Sequence, residues 1–510
     1  MAEDVGLLVA ADPAQGVHLK RPAGDVGIER GEFITAQVEG DVDSRQLLLK
    51  NCGKQAGAFI GAGLHGHVKA DTAGAGGVAR FIEKARGTGR VVIEAGNIAC
   101  ECPVGRGQHA LRGAGVAIHE GLDDEVTVDG AGDDLRHAVG SLLVVGLSGK
   151  ELTSLERAWL RLVRPAGVIL FRRNIADVEQ TRALLNEATG LCARHSVRYV
   201  DVEGGTVNRL RDALAPLPSA QAVWIAARQS ARPALAREFG QIIARAVRAF
   251  GFNTTLAPVV DLALPESVEV MGTRSVAPNP AEVIRFAREF LAGLAAQTVI
   301  SCGKHFPGLG GAASDTHFET PEIGRAWNDL WQQDLAPYRE LHAQMPIVMT
   351  NHAAYPHTSG KNMPASASRF WITTVLRDRI GYKGIILSDD LEMGGILKFL
   401  PVNEAAVAAI RAGSDLVEIC HSAELILRTY EALLAEAERS AAFRKLLLAR
   451  AADSARKRAK VYAAPVPPRL TPKQLEKLQS DVARFRDTIA AATTQPDTVA
   501  PRTASPAETS

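Results

Sequence analysis

Residues 280–306 read PAEVIRFAREFLAGLAAQTVISCGKHF, and two kinds of hydrophobic pattern meet in this stretch. In the first part, apolar residues recur three and four positions apart, which predicts an amphipathic helix. The second part, TVISCGKHF (298–306), is a short apolar run that predicts a buried strand. The same succession occurs upstream, where LAREFGQIIARAVRAFG (235–251) precedes TTLAPVVDL (254–262). Apolar strands that alternate with helices indicate a parallel sheet covered by helices.

Six more candidate strands flank these two. They are SLLVVGL (141–147), GVILF (167–171), RYVDVE (198–203), IVMTNH (347–352), GIILSDD (384–390) and LVEIC (416–420). Eight strands with intervening helices over roughly 300 residues predict an α/β protein built as a (β/α)8 TIM-type barrel. In such barrels the active site lies at the carboxyl ends of the strands.

Charged and imidazole side chains follow several of these strands. The candidates are Asp201, Glu203 and Arg209 after the third strand, Lys304 and His305 in the fifth, His352 after the sixth, and Asp389 and Asp390 in the seventh. A single acidic residue at a strand end is often only a cap for the next helix. Polar groups from four strand ends are harder to explain in this way, because their joint desolvation must be offset. We therefore expect an active site at this end of the barrel.

Composition excludes several classes of partner. Lys and Arg number 58 against 57 Asp and Glu, so the net charge is +1, which argues against binding to nucleic acid or an acidic membrane surface. No apolar run approaches the length of a membrane span, and the N-terminus does not resemble a signal peptide. The six cysteines are scattered, unlike a disulfide framework. The expected location is the cytoplasm.

The first 134 residues differ from the rest. They hold 24 of the 46 glycines and only three aromatic residues, so ordering them costs much entropy and little apolar burial offsets it. GVARFIEKAR (77–86) has helical spacing and RVVIEAG (90–96) is typical of a strand. The favoured interpretation is a glycine-rich extension that is disordered or precedes the true translation start, and a small accessory domain is the alternative.

The chain changes again after the barrel. A basic segment, SARKRAK (454–460), leads to a proline-rich one, AAPVPPRLTP (463–472). A helix is then expected, with Thr471 as its cap, Pro472 in its first turn and one apolar stripe for packing on the barrel, formed by Leu475, Leu478, Val482, Phe485 and Ile489. The predicted boundaries are 1–134 for the extension, 135–455 for the barrel, 456–492 for linker and helix, and 493–510 for a disordered tail.

Four segments together resemble glycoside hydrolase family 3. They are VDVEGGTVNRLRD (200–212), MGTRS (271–275), GKHFPGLGGAASDTHFETP (303–321) and KGIILSDDLEMGG (383–395). The resemblance covers roughly residues 136–450 and is strongest to the single-domain bacterial β-N-acetylglucosaminidase branch, which acts in cell-wall recycling. It implies a retaining exo-hydrolase of terminal β-linked N-acetylglucosamine, with a glycan or muropeptide substrate and no metal or organic cofactor. A monomer is the expected state, although the sequence itself does not determine it.

The resemblance also implies residue roles. Asp389 corresponds to the nucleophile of a retaining glycosidase, which forms a covalent glycosyl-enzyme. His317 corresponds to the acid/base and Asp315 to its orienting partner, and an imidazole can give and take a proton near neutral pH. The implied substrate-binding residues are Asp201, Arg209, Arg274, Lys304 and His305.

Three departures and three alternatives stay open. Leu309, Thr206 and His421 stand where the family more commonly has His, Arg and Asn. The chain could instead be a family 3 β-glucosidase or β-xylosidase, although those usually carry a second domain and lack the Asp-x-His pair. A non-catalytic sugar-binding or cell-wall sensing barrel does not need Asp389 and His317. The sequence does not distinguish water from phosphate as the final acceptor.

Overall fold

The protein was analysed as a computed structural model, which describes residues 130–359, 363–464 and 468–493 together with seven short strands between residues 6 and 93. The chain divides into two units, Met1–Gly130 and Ala131–Ser510. No helix in the described part of the chain is long and apolar enough to cross a membrane.

The first unit contains two sheets. One has four strands, Gly6–Asp12, Gly16–Lys20, Phe33–Glu39 and Gly57–Ile60, and the other has three antiparallel strands, Val68–Asp71, Arg80–Lys84 and Arg90–Ile93. The helix expected at 77–86 is wrong, because Arg80–Lys84 pairs with a strand on each side and this pairing overrides the helical spacing. The strand expected at 90–96 is present as Arg90–Ile93. The prediction of disorder concerns mostly residues outside the described ranges.

The second unit is built around a closed eight-stranded barrel, as predicted. Its strands are β1 (Leu143–Gly146), β2 (Gly167–Leu170), β3 (Val197–Val200), β4 (Thr254–Thr255), β5 (Ile300–Phe306), β6 (Ile347–Thr350), β7 (Ile385–Asp390) and β8 (Leu416–Ile419). Each strand pairs in parallel with its neighbours in chain order, and β8 closes the ring on β1. All eight predicted strands therefore belong to one barrel.

All eight strands are shorter than the predicted runs, and two of these differences affect the site. TTLAPVVDL narrows to β4, since Pro258 has no amide hydrogen to donate to a strand ladder. RYVDVE divides into β3 and a second strand, Val202–Gly204, which forms an antiparallel hairpin with Val207–Asn208. This hairpin lies between Asp201 and Arg209 in the sequence.

Helices cover the outside of the barrel. The α-helices of this unit are Gly130–Gly140, Ser154–Val163, Val178–Gly190, Ala220–Gln229, Ala234–Ala249, Val268–Met271, Pro280–Ala295, Trp327–Asp329, Ala336–Leu341, Pro356–Ser359, Gly394–Leu397, Val402–Ala412, Ala423–Arg439, Ala441–Val461 and Pro472–Ala492, with π-helical turns at Leu330–Asp334 and Phe370–Arg379. One large apolar cluster lies between helices and strands, and a second fills the barrel interior.

The basic segment after residue 454 belongs to the helix Ala441–Val461. Residues 456–461, predicted as the start of a linker, are helical because their basic side chains have buried partners. Arg458 is almost fully buried and donates to the carbonyl of Arg194 at 2.9 Å, and Lys457 donates to the Asp415 carboxylate. Tyr462 follows and joins the interior cluster of the barrel.

The last helix, Pro472–Ala492, has the predicted start and the predicted apolar stripe. The Thr471 side chain accepts a hydrogen bond from the Gln474 amide, and Pro472 lies in the first turn. Phe485 stacks on Phe239 with ring centroids 5.8 Å apart, so the stripe packs on the barrel unit as expected. The predicted tail lies, apart from Thr493, outside the described residues.

Candidate active site

A pocket of about 390 Å³ opens at the carboxyl ends of the barrel strands. All eight residues predicted for the site line it, namely Asp201, Arg209, Arg274, Lys304, His305, Asp315, His317 and Asp389. Four strand ends or the loops after them, those of β3, β4, β5 and β7, supply these residues, which are far apart in the sequence. The barrel topology thus brings residues from separate sequence motifs into one pocket.

One wall of the pocket is a network of buried ion pairs. Lys304 Nζ lies 2.7 Å from both Asp201 Oδ1 and Glu203 Oε1, and Arg209 lies 3.7 Å from Asp201 Oδ2. Arg274 holds Glu203 in a bidentate pair, with N–O distances of 2.8 and 2.9 Å. Burial by itself raises the pKa of Glu203, but Arg274 and then Lys304 lower it more, so this carboxylate stays ionised.

Glu203 was noted at a strand end but not assigned to the site. It immediately precedes the glycine pair Gly204-Gly205, and Gly204 has a φ of 95° that favours glycine. A Cβ there would also meet Phe239 and the carbonyl of Pro218. The hairpin turn therefore fixes Glu203 beside Arg274 and Lys304.

Asp261 orients His305 and was missed by the sequence analysis. Its Oδ2 accepts from His305 Nδ1 at 2.7 Å, and its Oδ1 accepts from the Leu309 amide at 2.8 Å. His305 Nε2 then lies 3.3 Å from Arg274 Nη2. Asp261 is the acidic residue of TTLAPVVDL, so an inspection of all eight strand ends would have found it. Leu309 replaces the family His and is buried in the pocket lining.

Asp389 projects inward near the end of β7. Its Oδ1 accepts a hydrogen bond from the Asp390 amide at 2.9 Å. Burial by itself raises the pKa of the Asp389 carboxyl. Basic groups around it outweigh burial and lower the pKa below the ordinary value; in decreasing order of effect they are His305, His352, Lys304 and His317. The lowered pKa favours the ionised carboxylate.

His317 and Asp315 form a hydrogen-bonded pair at the rim. Asp315 Oδ1 lies 2.6 Å from His317 Nδ1 and accepts from the His317 amide at 2.9 Å. Burial raises the pKa of Asp315, but the contacts with His317 lower it more. The carbonyl of His317 accepts from the Gly394 amide at 2.8 Å, where a Cβ on Gly394 would lie 2.7 Å from that carbonyl oxygen. The loop therefore approaches β7 closely because position 394 has no side chain.

Asp390 and His352 make contacts around the turn after β7. Asp390 accepts a hydrogen bond from the Glu392 backbone amide at 3.1 Å and lies 3.4 Å from His421 Nε2. His352 is fully buried, and its Nε2 donates to the Asp390 carbonyl at 2.9 Å. Burial lowers the pKa of His352. These contacts support the turn after β7.

Among the residues that the structure describes, no group of three or more His, Cys, Asp or Glu side chains is arranged to hold a metal ion. The pocket instead combines a buried carboxylate, an imidazole with an acidic partner, and a wall of charged hydrogen-bonding groups. Carboxylates and cations of this kind bind hydroxyl groups with directional hydrogen bonds.

Residues 134–447 match the glycosyl hydrolase family 3 N terminal domain. The chain is 37% identical over 286 residues to a β-hexosaminidase of Chromobacterium violaceum, covering 55% of this chain and 79% of the relative. It is 33% identical over 279 residues to a β-hexosaminidase of Idiomarina loihiensis, covering 55% of this chain and 83% of the relative.

Solved structures are similar as well. A family 3 β-N-acetylglucosaminidase from a Paenibacillus species matches with a TM-score of 0.62 at 30% identity, over 69% of this chain and 68% of the other. NagZ from Neisseria gonorrhoeae, in complex with N-trifluoroacetyl-D-glucosamine, matches with a TM-score of 0.56 at 30% identity, over 68% of this chain and 98% of the other. This chain is therefore a glycoside hydrolase that belongs to family 3.

Proposed function

We propose that the chain is a retaining exo-β-N-acetylglucosaminidase in which Asp389 is the nucleophile and His317, oriented by Asp315, is the acid/base. The observation that carries the proposal is that the Asp389 carboxyl and the His317–Asp315 pair line the same pocket, where basic groups lower the pKa of Asp389. A retaining glycosidase needs both an anionic nucleophile and a separate proton donor.

The reaction proceeds in two displacements. In the first, the Asp389 carboxylate attacks the anomeric carbon while His317 protonates the leaving oxygen, so that the glycosidic bond breaks and a glycosyl-enzyme forms. In the second, neutral His317 takes a proton from water as that water attacks the same carbon and releases Asp389. His317 is an imidazolium before the first step and again after the second. The Asp315 carboxylate stabilises this charged form.

The wall of buried ion pairs binds the non-reducing sugar. Asp201 and Glu203 accept hydrogen bonds from hydroxyl groups, and Lys304, Arg209 and Arg274 donate them. Because these groups are already paired and buried, little reorganisation is needed when the sugar binds.

The sugar and the biological setting are inferred from similar proteins. The relatives are named β-hexosaminidases, and one similar solved structure is a β-N-acetylglucosaminidase. We propose terminal N-acetylglucosamine on peptidoglycan fragments as the substrate, with a monomeric protein acting in the cytoplasm during cell-wall recycling.

The test compares hydrolysis of an aryl β-N-acetylglucosaminide and an aryl β-glucoside by the full chain and by Asp389→Asn. We expect preference for the N-acetyl sugar, and near-complete loss of turnover in the variant with measurable sugar binding, because the pocket remains. Wild-type-like rates in Asp389→Asn would contradict the nucleophile assignment. Preference for the glucoside would favour a β-glucosidase, and binding without turnover by the full chain would favour a sugar-binding barrel.

A further arm of this assay concerns domain organisation. We propose that residues 135–455 form the catalytic domain, with the C-terminal helix packed on it, and that residues 1–134 are not needed for hydrolysis. The division of the chain at residues 130 and 131 supports this proposal. A protein comprising residues 131–510 should match the full chain in kcat/KM, and a folded but inactive protein would contradict the proposal.

A further inference from the structure

Glu418 is a buried carboxyl at the floor of the pocket, outside the machinery described above. It lies on β8, in register with Asp390 of β7 and Val144 of β1. Leu416 and Cys420, two residues to either side, belong to the interior cluster of the barrel, so Glu418 faces inward as well. Its side chain lines the pocket but is almost entirely inaccessible to solvent.

The Glu418 carboxyl lacks the partners that buried acids usually have. Its Oε1 has no hydrogen-bond partner among the described residues. Lys304, a cation that acts to lower the pKa of Glu418, is held by Asp201 and Glu203 at 2.7 Å each. Burial raises the pKa of Glu418 well above its ordinary value, and the negative charge of Asp389 raises it further. Both effects favour the protonated carboxyl, which has an O–H group to donate.

A carboxyl in this state costs stability. Leaving a buried polar group without a hydrogen bond is unfavourable, whereas an apolar side chain would pack with the other floor residues. A buried polar group without a partner calls for an explanation, and a bound ligand can supply the partner of a group that lines a pocket. The occupant of this pocket is a sugar, so the missing acceptor belongs on the sugar.

The surroundings of Glu418 indicate which part of the sugar it contacts. The pocket lining also includes the apolar side chains of Ile169, Leu256 and Met349, which belong to the interior cluster of the barrel. The charged groups suited to hydroxyls are already paired with one another and come from β5 and from the segments after β3 and β4. A floor that combines one neutral donor with apolar side chains is complementary to an acetamido group, which has a carbonyl acceptor and a methyl group. That substituent is on the carbon next to the anomeric carbon, and β8 is next to the strand that carries Asp389.

We propose that Glu418 recognises the N-acetyl group of the substrate by donating its O–H to the acetamido carbonyl, while Ile169, Leu256 and Met349 pack against the methyl group. This inference rests on the proposed function, since it concerns the same pocket with a sugar bound. Glu418 is thus the residue that distinguishes an N-acetyl sugar from a plain hexose.

The test replaces Glu418 by Met, which fills the space without a donor, and by Gln, which keeps a donor. For Glu418→Met we expect kcat/KM on an aryl β-N-acetylglucosaminide to fall about tenfold, the loss of one neutral hydrogen bond, with little change on the aryl β-glucoside. Glu418→Gln should keep most of the preference. Glu418→Met should also raise Tm, because it removes an unpaired buried carboxyl.

Binding of free N-acetylglucosamine and glucose, measured by calorimetry on the same proteins, does not depend on turnover. We expect weaker N-acetylglucosamine binding in Glu418→Met whether or not the unsubstituted chain hydrolyses either substrate. If that chain hydrolyses neither, the proposed function is wrong but this inference can still hold. Should Glu418→Met fail to fold, Glu418→Leu replaces it.

Thr429→Val is the matched control, because Thr429 is another buried side chain without a partner among the described residues and lies on the helix Ala423–Arg439 outside the pocket lining. It should raise Tm without changing sugar preference. Unchanged preference and unchanged N-acetylglucosamine affinity in the apolar Glu418 variants would overturn the proposal, as would a full chain that does not bind N-acetylglucosamine.

Discussion

Both hydrogen bonds of Asp315 Oδ1 are made to a residue two positions along the chain, one to the His317 backbone amide and one to its ring. Because Nδ1 is engaged by a carboxylate, Nε2 is the ring atom available for proton exchange with a substrate. The imidazolium form of the ring is the one that can protonate a leaving group. Geometry at this single pair therefore determines which atom does the chemistry.

Removal of the imidazole should affect substrates according to their leaving groups. In His317→Ala we expect a loss of about 10²–10⁴-fold in kcat/KM on substrates with poor leaving groups, the usual contribution of a positioned acid. Activated aryl glycosides should lose much less, because their leaving groups depart without protonation. The comparison is made by measuring kcat/KM across a series of aryl glycosides of different leaving-group pKa.

His342→Ala serves as the control for this series, because His342 is absent from the pocket lining and its Nδ1 contacts the Arg339 carbonyl. Equal losses on good and poor leaving groups in His317→Ala would indicate a different acid.

At the scale of elements, the loop between β5 and the helical segment beginning at Trp327 carries Asp315 and His317. An ion pair between Arg325 and Asp334 holds this loop in place. Arg325 Nε lies 2.8 Å from Asp334 Oδ2, and its Nη2 donates to Gln333 at 2.8 Å. A Cβ on Gly311 would lie 3.0 Å from the Arg325 side chain, and one on Gly308 would lie 3.0 Å from Asp334. The loop can therefore lie directly on this ion pair only because it is rich in glycine.

Titration of Asp334 gives this region a defined dependence on pH. Burial raises its pKa from 3.8 to about 6, even though Arg325 lowers it. The folded protein thus keeps a proton that the unfolded chain has already lost, so the free energy of unfolding falls as pH rises between these two values. The free energy of unfolding of Asp334→Asn, relative to that of the unsubstituted chain, should therefore rise by up to about 3 kcal/mol between about pH 4 and pH 7. Urea unfolding of both proteins across that range measures the difference, and a difference that stays constant with pH would contradict this account.

At the scale of the whole molecule, the barrel was predictable because each strand is a local apolar run and each helix has its own periodicity. Asp389, His317 and Asp315 could be assigned because they occur in short motifs. Asp261 and Glu203 were not assigned to the site, since their roles depend on ion pairs between strands that are distant in sequence. Glu418 was not predicted either, because LVEIC reads as a buried strand and the absence of a partner for its carboxyl is a property of the packed barrel.

The central claim is that Asp389 becomes covalently attached to the sugar, and direct trapping of the intermediate tests it. The full chain would be treated with a fluorinated N-acetylglucosaminyl fluoride, which slows release of the sugar, then digested and analysed by mass spectrometry. We predict a single added sugar on the peptide that contains Asp389, and none on Asp389→Asn. Attachment to another carboxylate such as Asp201 or Glu418, or continued hydrolysis without any covalent adduct, would contradict the account.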